Sequence, residues 1–515
     1  MAQQPLSVGF TSIYDFDDFL PEGSKHSAWR GEMLLMVLKI ESEANQDIEL
    51  DINNTNDRIN IESFNLAYVL ADYAAGFCGT EKAEGKFKQA RVPDRAVKIS
   101  ENKFRSDSTT SFVLLKVEIE ESMRRGNIPI SVNIKQNNRE AEVTANIQVI
   151  NRKLPAISNM DFKLDFWQFP MSIADFYNLD PWSEEHYRHL EVMFEQLNEI
   201  NQKVVTATVF WDPYNSQVRD PTQMMIQVKR DQEGNYVYDY SNFEKYVELA
   251  FSKGVDEHIS LHNLYPWNNN FFYLDETTGQ VVTISTVPNT PVHHDFWRPF
   301  LEDFQVYLTD KGWLDKVMFY VDERDVDITI ELAKFIHSIN PDFKLGYAGA
   351  FHAKLSPYIF DYSIPSNVVM DAQILKDRQL QGKHTTFYTA CFDKGANMLM
   401  TSSNVDTYYL MMLANVKGYN GKLRWAYNQW SSNIRENAIY AHVPSGDAHF
   451  VYPDNQPSLR YFLILDALEE VSKAKNRSRK SKTQRLLDRH LDPALIRSEE
   501  QRSELVKSMN RNLNE

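Results

Sequence analysis

The feature that most restricts how this chain can fold is a change of rhythm near residue 160. Before it, short β-branched runs alternate with polar turns; after it, apolar runs alternate with helical stretches. Glu32–Ile40, Ser111–Ile119, Ile128–Ile134 and Glu142–Ile150 read as half-buried strands of period two, separated by turns such as Asn137-Asn138 and Arg124-Arg125-Gly126. Several such strands in about 150 residues predict a β-sandwich. Asn151 to Pro155 then reads as an exit linker.

Beyond about 160, the apolar runs Phe162–Phe169, Val204–Trp211, His258–Leu264, Lys316–Val321, Lys344–Ala350, Tyr358–Ile364, Thr385–Ala390 and Gly421–Tyr427 are interleaved with predicted helices Ser183–Ile200, Phe243–Ser252, Asp295–Tyr307, Asp327–Ile339 and Asp406–Lys417. About eight strand–helix units in roughly 270 residues match a (β/α)₈ barrel. A doubly wound open sheet would need a glycine-rich phosphate loop at its first helix, and none is found. The expectation is therefore multidomain: a β-sandwich over 1–155, a TIM-like (β/α)₈ barrel over 156–457, and a C-terminal helical extension over 458–515. Two insertions, Tyr214–Tyr240 and Trp267–Pro291, carry hairpin signals and would wall a site at the barrel's C-terminal face. Ser458–Ser472 reads as an amphipathic helix packing on the barrel. Leu486, Leu487, Leu491, Leu495 and Ile496 recur at helix-like spacing around Pro493.

Composition narrows the function classes. A net charge of −16 argues against a phosphate-tracking surface, and the basic run Lys473–Lys482 reads as a solvated linker or helix face. The two cysteines, Cys78 and Cys391, exclude a disulfide framework and a multi-cysteine zinc site. No run approaches the ~18 apolar residues of a membrane span. The start, MAQQPLSVGF, lacks the regions of a signal peptide. The expected location is the cytoplasm as written, or outside it if an export signal has been trimmed. The 12% of aromatic residues is enough to line a sugar groove as well as a core.

Asp-Glu occurs at 256–257, 275–276 and 322–323. The first pair precedes a strand and the second lies in a hairpin insertion. Only Asp322-Glu323 directly follows an apolar strand, Val317-Met318-Phe319-Tyr320-Val321, and so emerges at the rim where barrel chemistry occurs. Neighbours in a regular strand face opposite ways, so both acids can serve one ligand only where the strand is ending. Most retaining glycosidases place two carboxylates ~5–5.5 Å apart on different elements. An adjacent pair suits substrate assistance instead: one carboxylate orients the sugar's 2-acetamido group, which attacks the anomeric carbon, and the other protonates the leaving oxygen and later activates water. The segment Tyr419–Trp430 adds Trp425, Tyr427 and Trp430 near a strand end, as core or as sugar platform. Further strand-end candidates are Trp167, Trp211, His262, Asn263, Tyr347, His352, Tyr388 and Asp393. Tyr388 or Tyr347 is placed to donate to the acetamido oxygen, and His262-Asn263 to bind sugar hydroxyls. His293-His294 lacks the companions of a metal site, so no metal and no cofactor is expected.

The domain order, the strand ending in Asp-Glu, the GKLRWAYNQW strand and the GDAHFVYP…SLR segment (with Asp447, Tyr452, Pro453 and Arg460) resemble glycoside hydrolase family 123. Ser27-Ala28-Trp29-Arg30-Gly31-Glu32 and Val92-Pro93-Asp94 resemble its N-terminal domain. The resemblance spans about residues 25 to 470. It implies an exo-acting, retaining β-N-acetylgalactosaminidase with a β-sandwich ahead of a (β/α)₈ barrel. It also implies that Asp322 polarises the acetamido group, that Glu323 is the general acid/base, and that Trp425 is a pocket wall. The expected partner is a glycan, not a nucleic acid. A conventional glycosidase pairing Glu323 with Asp212 or Asp393, and a barrel that binds glycans without cleaving them, are the alternatives.

Overall fold

The computed structural model describes residues 6–54, 56–79, 81–83, 85–210, 220–368, 370–476 and 498–514. They form two compact units. The first comprises Met1–Asp161, Ala390–Val416 and Trp430–Glu515; the second comprises Phe162–Thr389 and Lys417–Gln429.

In the first unit, a six-stranded sheet runs in the order Asp15–Phe19, Ser7–Ser12, Met33–Glu41, Thr110–Ile119, Ile59–Asp72, Gln89–Lys98. A five-stranded sheet runs Ser24–Arg30, Arg139–Lys153, Gly126–Gln136, Asp47–Asn54, Lys103–Arg105. The alternation in Gly126–Gln136 shows why: Ile128, Ile130, Val132 and Ile134 are buried while their neighbours are more exposed. These four join Met36, Leu38, Val113, Leu115 and Val117 of the other sheet in one hydrophobic core. The hairpin from Gln136 to Arg139 turns through Asn137 at φ +56°, the left-handed position asparagine tolerates, so that pair of asparagines is the turn expected of it.

The helix Leu459–Asn476 also belongs to the first unit. It packs against Met33–Glu41 and Gln89–Lys98, with Glu469 accepting the Met33 N–H (3.0 Å) and Phe462 set against Phe64 (5.1 Å between centroids). The helix thus packs on a sheet of its own unit, where the expectation was the barrel. Amphipathic spacing shows that a face is buried, not against what. The helix Glu499–Asn514 packs beside it, whereas the leucine pattern around Pro493 and most of the basic run Lys473–Lys482 lie outside the described residues. Lys473 itself is the opposite of a solvated face: it is buried, donating to Glu32 (2.8 Å), Glu470 (2.6 Å) and Asn514 (3.0 Å).

The unit boundaries also depart from a barrel over 156–457, because 390–416 and 430–457 fall in the first unit. Most of the helix Val405–Lys417, expected as a barrel helix, goes with them. Cys391, in one of these excursions, is bonded to Cys78. Two cysteines cannot make a framework, but a gap of 313 residues in sequence did not keep them apart in space.

The second unit is a nearly closed barrel of eight parallel strands. In chain order these are Lys163–Phe166, Val204–Thr208, His258–His262, Val317–Asp322, Lys344–Ala348, Asp361–Pro365, His384–Tyr388 and Gly421–Arg424. They are hydrogen-bonded in that circular order except between the first and second, where the backbone offers only the bridge Leu164–Gln202. Buried glutamine side chains close this seam. Gln202 Oε1 accepts from Phe166 N (2.9 Å) while its Nε2 donates to Val204 O (2.7 Å), and Gln168 Oε1 accepts from Thr206 N (2.7 Å). Helices Glu184–Glu199, Ser241–Ser252, Pro291–Lys311 and Val326–Ile339 follow the expected positions. Ser183, Thr290 and Asp325 cap the first, third and fourth of these. The short helix Ala372–Leu380 is additional. The two insertions form hairpins, Gln227–Arg230 with Tyr236–Asp239 and Asn270–Asp275 with Gln280–Ser285, joined in one four-stranded sheet. No helix among the described residues is long and apolar enough to cross a membrane.

Candidate active site

The fourth barrel strand, Val317–Asp322, decides the geometry. Its Tyr320 ring faces the barrel interior, stacking on His262 (5.3 Å, 25°) and meeting Trp167 edge-on (5.6 Å). The ring lies over Gly346 of the fifth strand, where an added Cβ would come within 2.2 Å of Tyr320 Cδ2; only glycine fits there. Side chains two apart share a face, so Asp322 follows Tyr320 to the mouth. Glu323 would point the other way if the strand continued. Instead it takes a left-handed φ of +46°, while its N–H still bonds Ala348 O at 2.8 Å. A non-glycine residue in that region costs roughly 1–3 kcal/mol and persists where its surroundings enforce it. The strand thus ends between the two acids.

Each acid has its own neutral donor. Trp267 Nε1–H donates to Asp322 Oδ2 at 2.9 Å, and the Tyr388 hydroxyl donates to Glu323 Oε1. Asp322 is half-buried and Glu323 exposed. Burial, and then the charge of Glu323, push the Asp322 carboxyl up to about 7, against the Trp267 hydrogen bond and the Arg324 charge, which pull it down. Near neutrality Asp322 can therefore hold or release a proton, beside the charge of its neighbour. Burial and both acids raise the Tyr388 hydroxyl well above its usual range, so it stays a donor.

Arg324, the next residue, is pinned at both ends. Its carbonyl accepts from the Tyr347 hydroxyl (3.0 Å), and its Nη2 donates to Asn269 (2.8 Å) with the guanidinium 4.2 Å from the Tyr265 ring centre and 5.5 Å from that of Trp267. Tyr347 passes over Gly349, where an added Cβ would lie 2.8 Å from its Cε1.

The other candidates divide. Asn263 is buried at the end of the third strand, its Oδ1 accepting from Tyr265 N (2.5 Å) while its Nδ2 has no partner among the described residues. Trp425 is half-buried, edge-on to Phe169 (6.0 Å). His262, Trp167 and Tyr427 are fully enclosed, at 0%, 1% and 0% exposure, which corrects their assignment as sugar contacts: they leave no surface to touch. His262 is kept neutral by burial, its pKa lowered to about 3, and with Trp167 it forms the floor beneath Tyr320. Tyr427 N–H bonds Trp167 O (2.9 Å). Trp430 lies in the first unit, its indole donating to Val451 O (2.8 Å). Asp393 is in the first unit too, its carboxylate accepting the Ala390 N–H (2.8 Å), and Trp211 and Asp212 lie outside the described residues. His352 donates its backbone N–H to the Tyr362 hydroxyl (3.0 Å). His293 bonds Leu264 O (3.1 Å) and His294 stacks on Phe335 (4.1 Å), and among the described residues no group of three or more His, Cys, Asp or Glu could hold a metal.

Trp267 was legible only as the first residue of an insertion. Its 44% exposure beside a half-buried acid marks it in the structure. The motif residues Asp94, Tyr452 and Arg460 prove structural: Arg460 grips Asp94 with Nε and Nη2 (both 3.0 Å), Tyr452 adds a bond to Asp94 (2.6 Å), and Arg460 Nη1 ties down Gly446 O (2.8 Å) and His449 O (2.7 Å), all in the first unit.

Residues 167–475 match the family model for the catalytic domain of glycoside hydrolase 123. Among solved structures, the chain is similar to a family 123 glycoside hydrolase from Clostridium perfringens, described for glycolipid glycan hydrolysis, with a TM-score of 0.86 at 21% identity, over 99% of this chain and 97% of that one. A GH10 xylanase with a bacterial Ig-like domain from termite gut gives 0.32 at 11% identity (70% and 90% covered), and an endo-β-1,4-mannanase from Thermotoga petrophila 0.34 at 12% (63% and 80%). A comparison with curated protein sequences finds no match.

Proposed function

The chain belongs to glycoside hydrolase family 123, and from that premise we propose that it removes terminal β-linked N-acetylgalactosamine from glycans, acting from the chain end and retaining configuration through a substrate-assisted mechanism. The observation that carries this reading is the left-handed turn at Glu323, which directs two consecutive acids to one mouth while each is held separately, by Trp267 and Tyr388. The glycolipid hydrolysis described for the Clostridium perfringens relative is consistent with a glycoconjugate substrate.

In the first step, the substrate's acetamido oxygen attacks the anomeric carbon as the glycosidic bond breaks. The leaving oxygen takes its proton from Glu323, and the Asp322 carboxylate accepts the amide N–H and offsets the positive charge of the oxazolinium ring. In the second step, Glu323, now ionised, takes a proton from water; the water oxygen attacks the anomeric carbon, the ring opens and the acetamide is restored. Only the form with the proton on Glu323 and the charge on Asp322 is productive. A bound amide N–H favours ionised Asp322, so substrate binding itself supplies the charge state that the first step needs there. Tyr347 and Asn263 Nδ2, which has no partner among the described residues, supply polar contacts to the sugar, and Trp425 a wall.

Aryl β-N-acetylgalactosaminide, the corresponding glucosaminide and aryl β-galactoside, assayed with wild type, Asp322→Asn and Glu323→Gln, test the proposal. The acetamido substrates should be cleaved, a thiazoline analogue should inhibit competitively, and each substitution should lower kcat by about 10²–10⁴-fold. Preferential cleavage of the galactoside, or retained activity in both variants, rejects substrate assistance.

A further inference from the structure

We infer that Trp267, held by Arg324, is a positioning residue for Asp322, its indole N–H fixing Oδ2 and leaving Oδ1 to the substrate's amide. The inference rests on the substrate-assisted reading above, and three geometric facts carry it. The indole reaches Asp322 at 2.9 Å from a turn outside the barrel strands, so the bond is built by the insertion and not by the strand. That turn is fixed locally: Asn269 takes φ +56°, its N–H bonds Pro266 O (3.0 Å) and its carbonyl accepts Thr286 N (3.0 Å). Arg324 then ties it to the acid-bearing strand end, bonding Asn269 Oδ1 (2.8 Å) and lying over Tyr265 (4.2 Å). An exposed tryptophan with no such role would cost little to replace; this one is aimed at a half-buried carboxylate.

The consequence is a bias in the charge state of Asp322. The titratable and charged groups facing Asp322 are Glu323 and Arg324 at its own strand end, Tyr320 below it, Tyr347 from the fifth strand and Tyr388 from the seventh. Burial and Glu323 favour the protonated acid; Trp267 and Arg324 are the two groups that favour the carboxylate. Without the indole N–H, Asp322 keeps its proton more strongly. Two changes in kcat/KM should then appear together. The alkaline limb moves up from about 7 by roughly one unit, and the plateau falls about tenfold, because Asp322 is less often ionised in the form that reacts.

Trp267→Phe keeps a ring in place and removes the N–H, and its pH–rate profile against wild type is the test. Arg324→Met should move both quantities in the same direction by less. The carbon-13 titration of Asp322 in protein labelled at aspartate carboxyls, assigned by its loss in Asp322→Asn, should show the same upward shift. A fall in activity with the limb and the resonance midpoint unmoved overturns the inference, as does an unchanged profile. If wild type cleaves no acetamido sugar, the proposed function fails, but the carbon-13 comparison of Trp267→Phe with wild type still decides whether the indole holds Asp322.

Discussion

The acids named above meet different company in the two units. In the first, carboxylates are answered by cations: Asp94 by a two-pronged Arg460, Glu32 and Glu470 by Lys473, Asp406 by Arg502 (2.6 Å). In the second, Asp322 and Glu323 are answered by an indole N–H and a phenol O–H, while the nearest guanidinium, that of Arg324, spends its hydrogen bond on Asn269. A carboxylate gripped by a cation is fixed in place by charge as well as by hydrogen bonds. One held by neutral donors is oriented yet still free to exchange. The company each keeps tells Asp94 from the Asp322-Glu323 pair where the motif alone misleads: the GDAHFVYP…SLR segment is as conspicuous in sequence as the Asp-Glu pair, and its Arg460 is structural.

The contrast can be broken by substitution. Arg460→Met leaves Asp94 buried without its cation and should cost about 3–5 kcal/mol in urea denaturation followed by tryptophan fluorescence, with Asp94→Asn in the same chain recovering part of the loss. Retention of full stability would mean the pair is incidental.

A smaller effect sharpens it. Not every acid of the first unit is matched. Burial, then the charge of Glu470, push Asp466 up to about 7 even though it accepts the Tyr14 hydroxyl (2.5 Å). Its folded pKa thus exceeds the unfolded one near 3.9. The stability it contributes is complete below about pH 4 and is lost as pH rises through about 7. The midpoint urea concentration should fall between pH 5.5 and 8 by the equivalent of about 2 kcal/mol in wild type and much less in Asp466→Asn. A pH-independent midpoint contradicts the assignment.

The smallest change concerns Tyr388. Its replacement by Phe removes the donor to Glu323 and should lower kcat/KM about tenfold while altering stability by less than about 1 kcal/mol. A large stability loss with little kinetic effect would place Tyr388 among the groups that build.

Periodicity made the sheet-rich start and the alternating barrel legible, and the run Val317–Val321 before Asp322-Glu323 was enough to choose one acid pair of three. What stayed hidden has physical causes. A strand end gives no depth, so His262, Trp167 and Tyr427 looked like rim residues although they are enclosed. Helix Ala372–Leu380 buries only Leu375 and Arg378, the latter by bonding Phe360 O (3.1 Å) and His384 O (2.6 Å), so it has no apolar stripe to read. Trp267 sits in an irregular turn where no repeat singles it out. The helix Leu459–Asn476 is buried along nearly all its faces, and such a helix does not say which neighbour it serves.

The stitch between the first and second barrel strands sets one more condition on this enzyme. Seven of the ring's joints are main-chain ladders, which any sequence can supply; the eighth has a single backbone bridge and is completed by the amides of Gln168 and Gln202. The girth of the cup is thus written in two side chains, and a mutation at either can loosen the hoop without touching an acid.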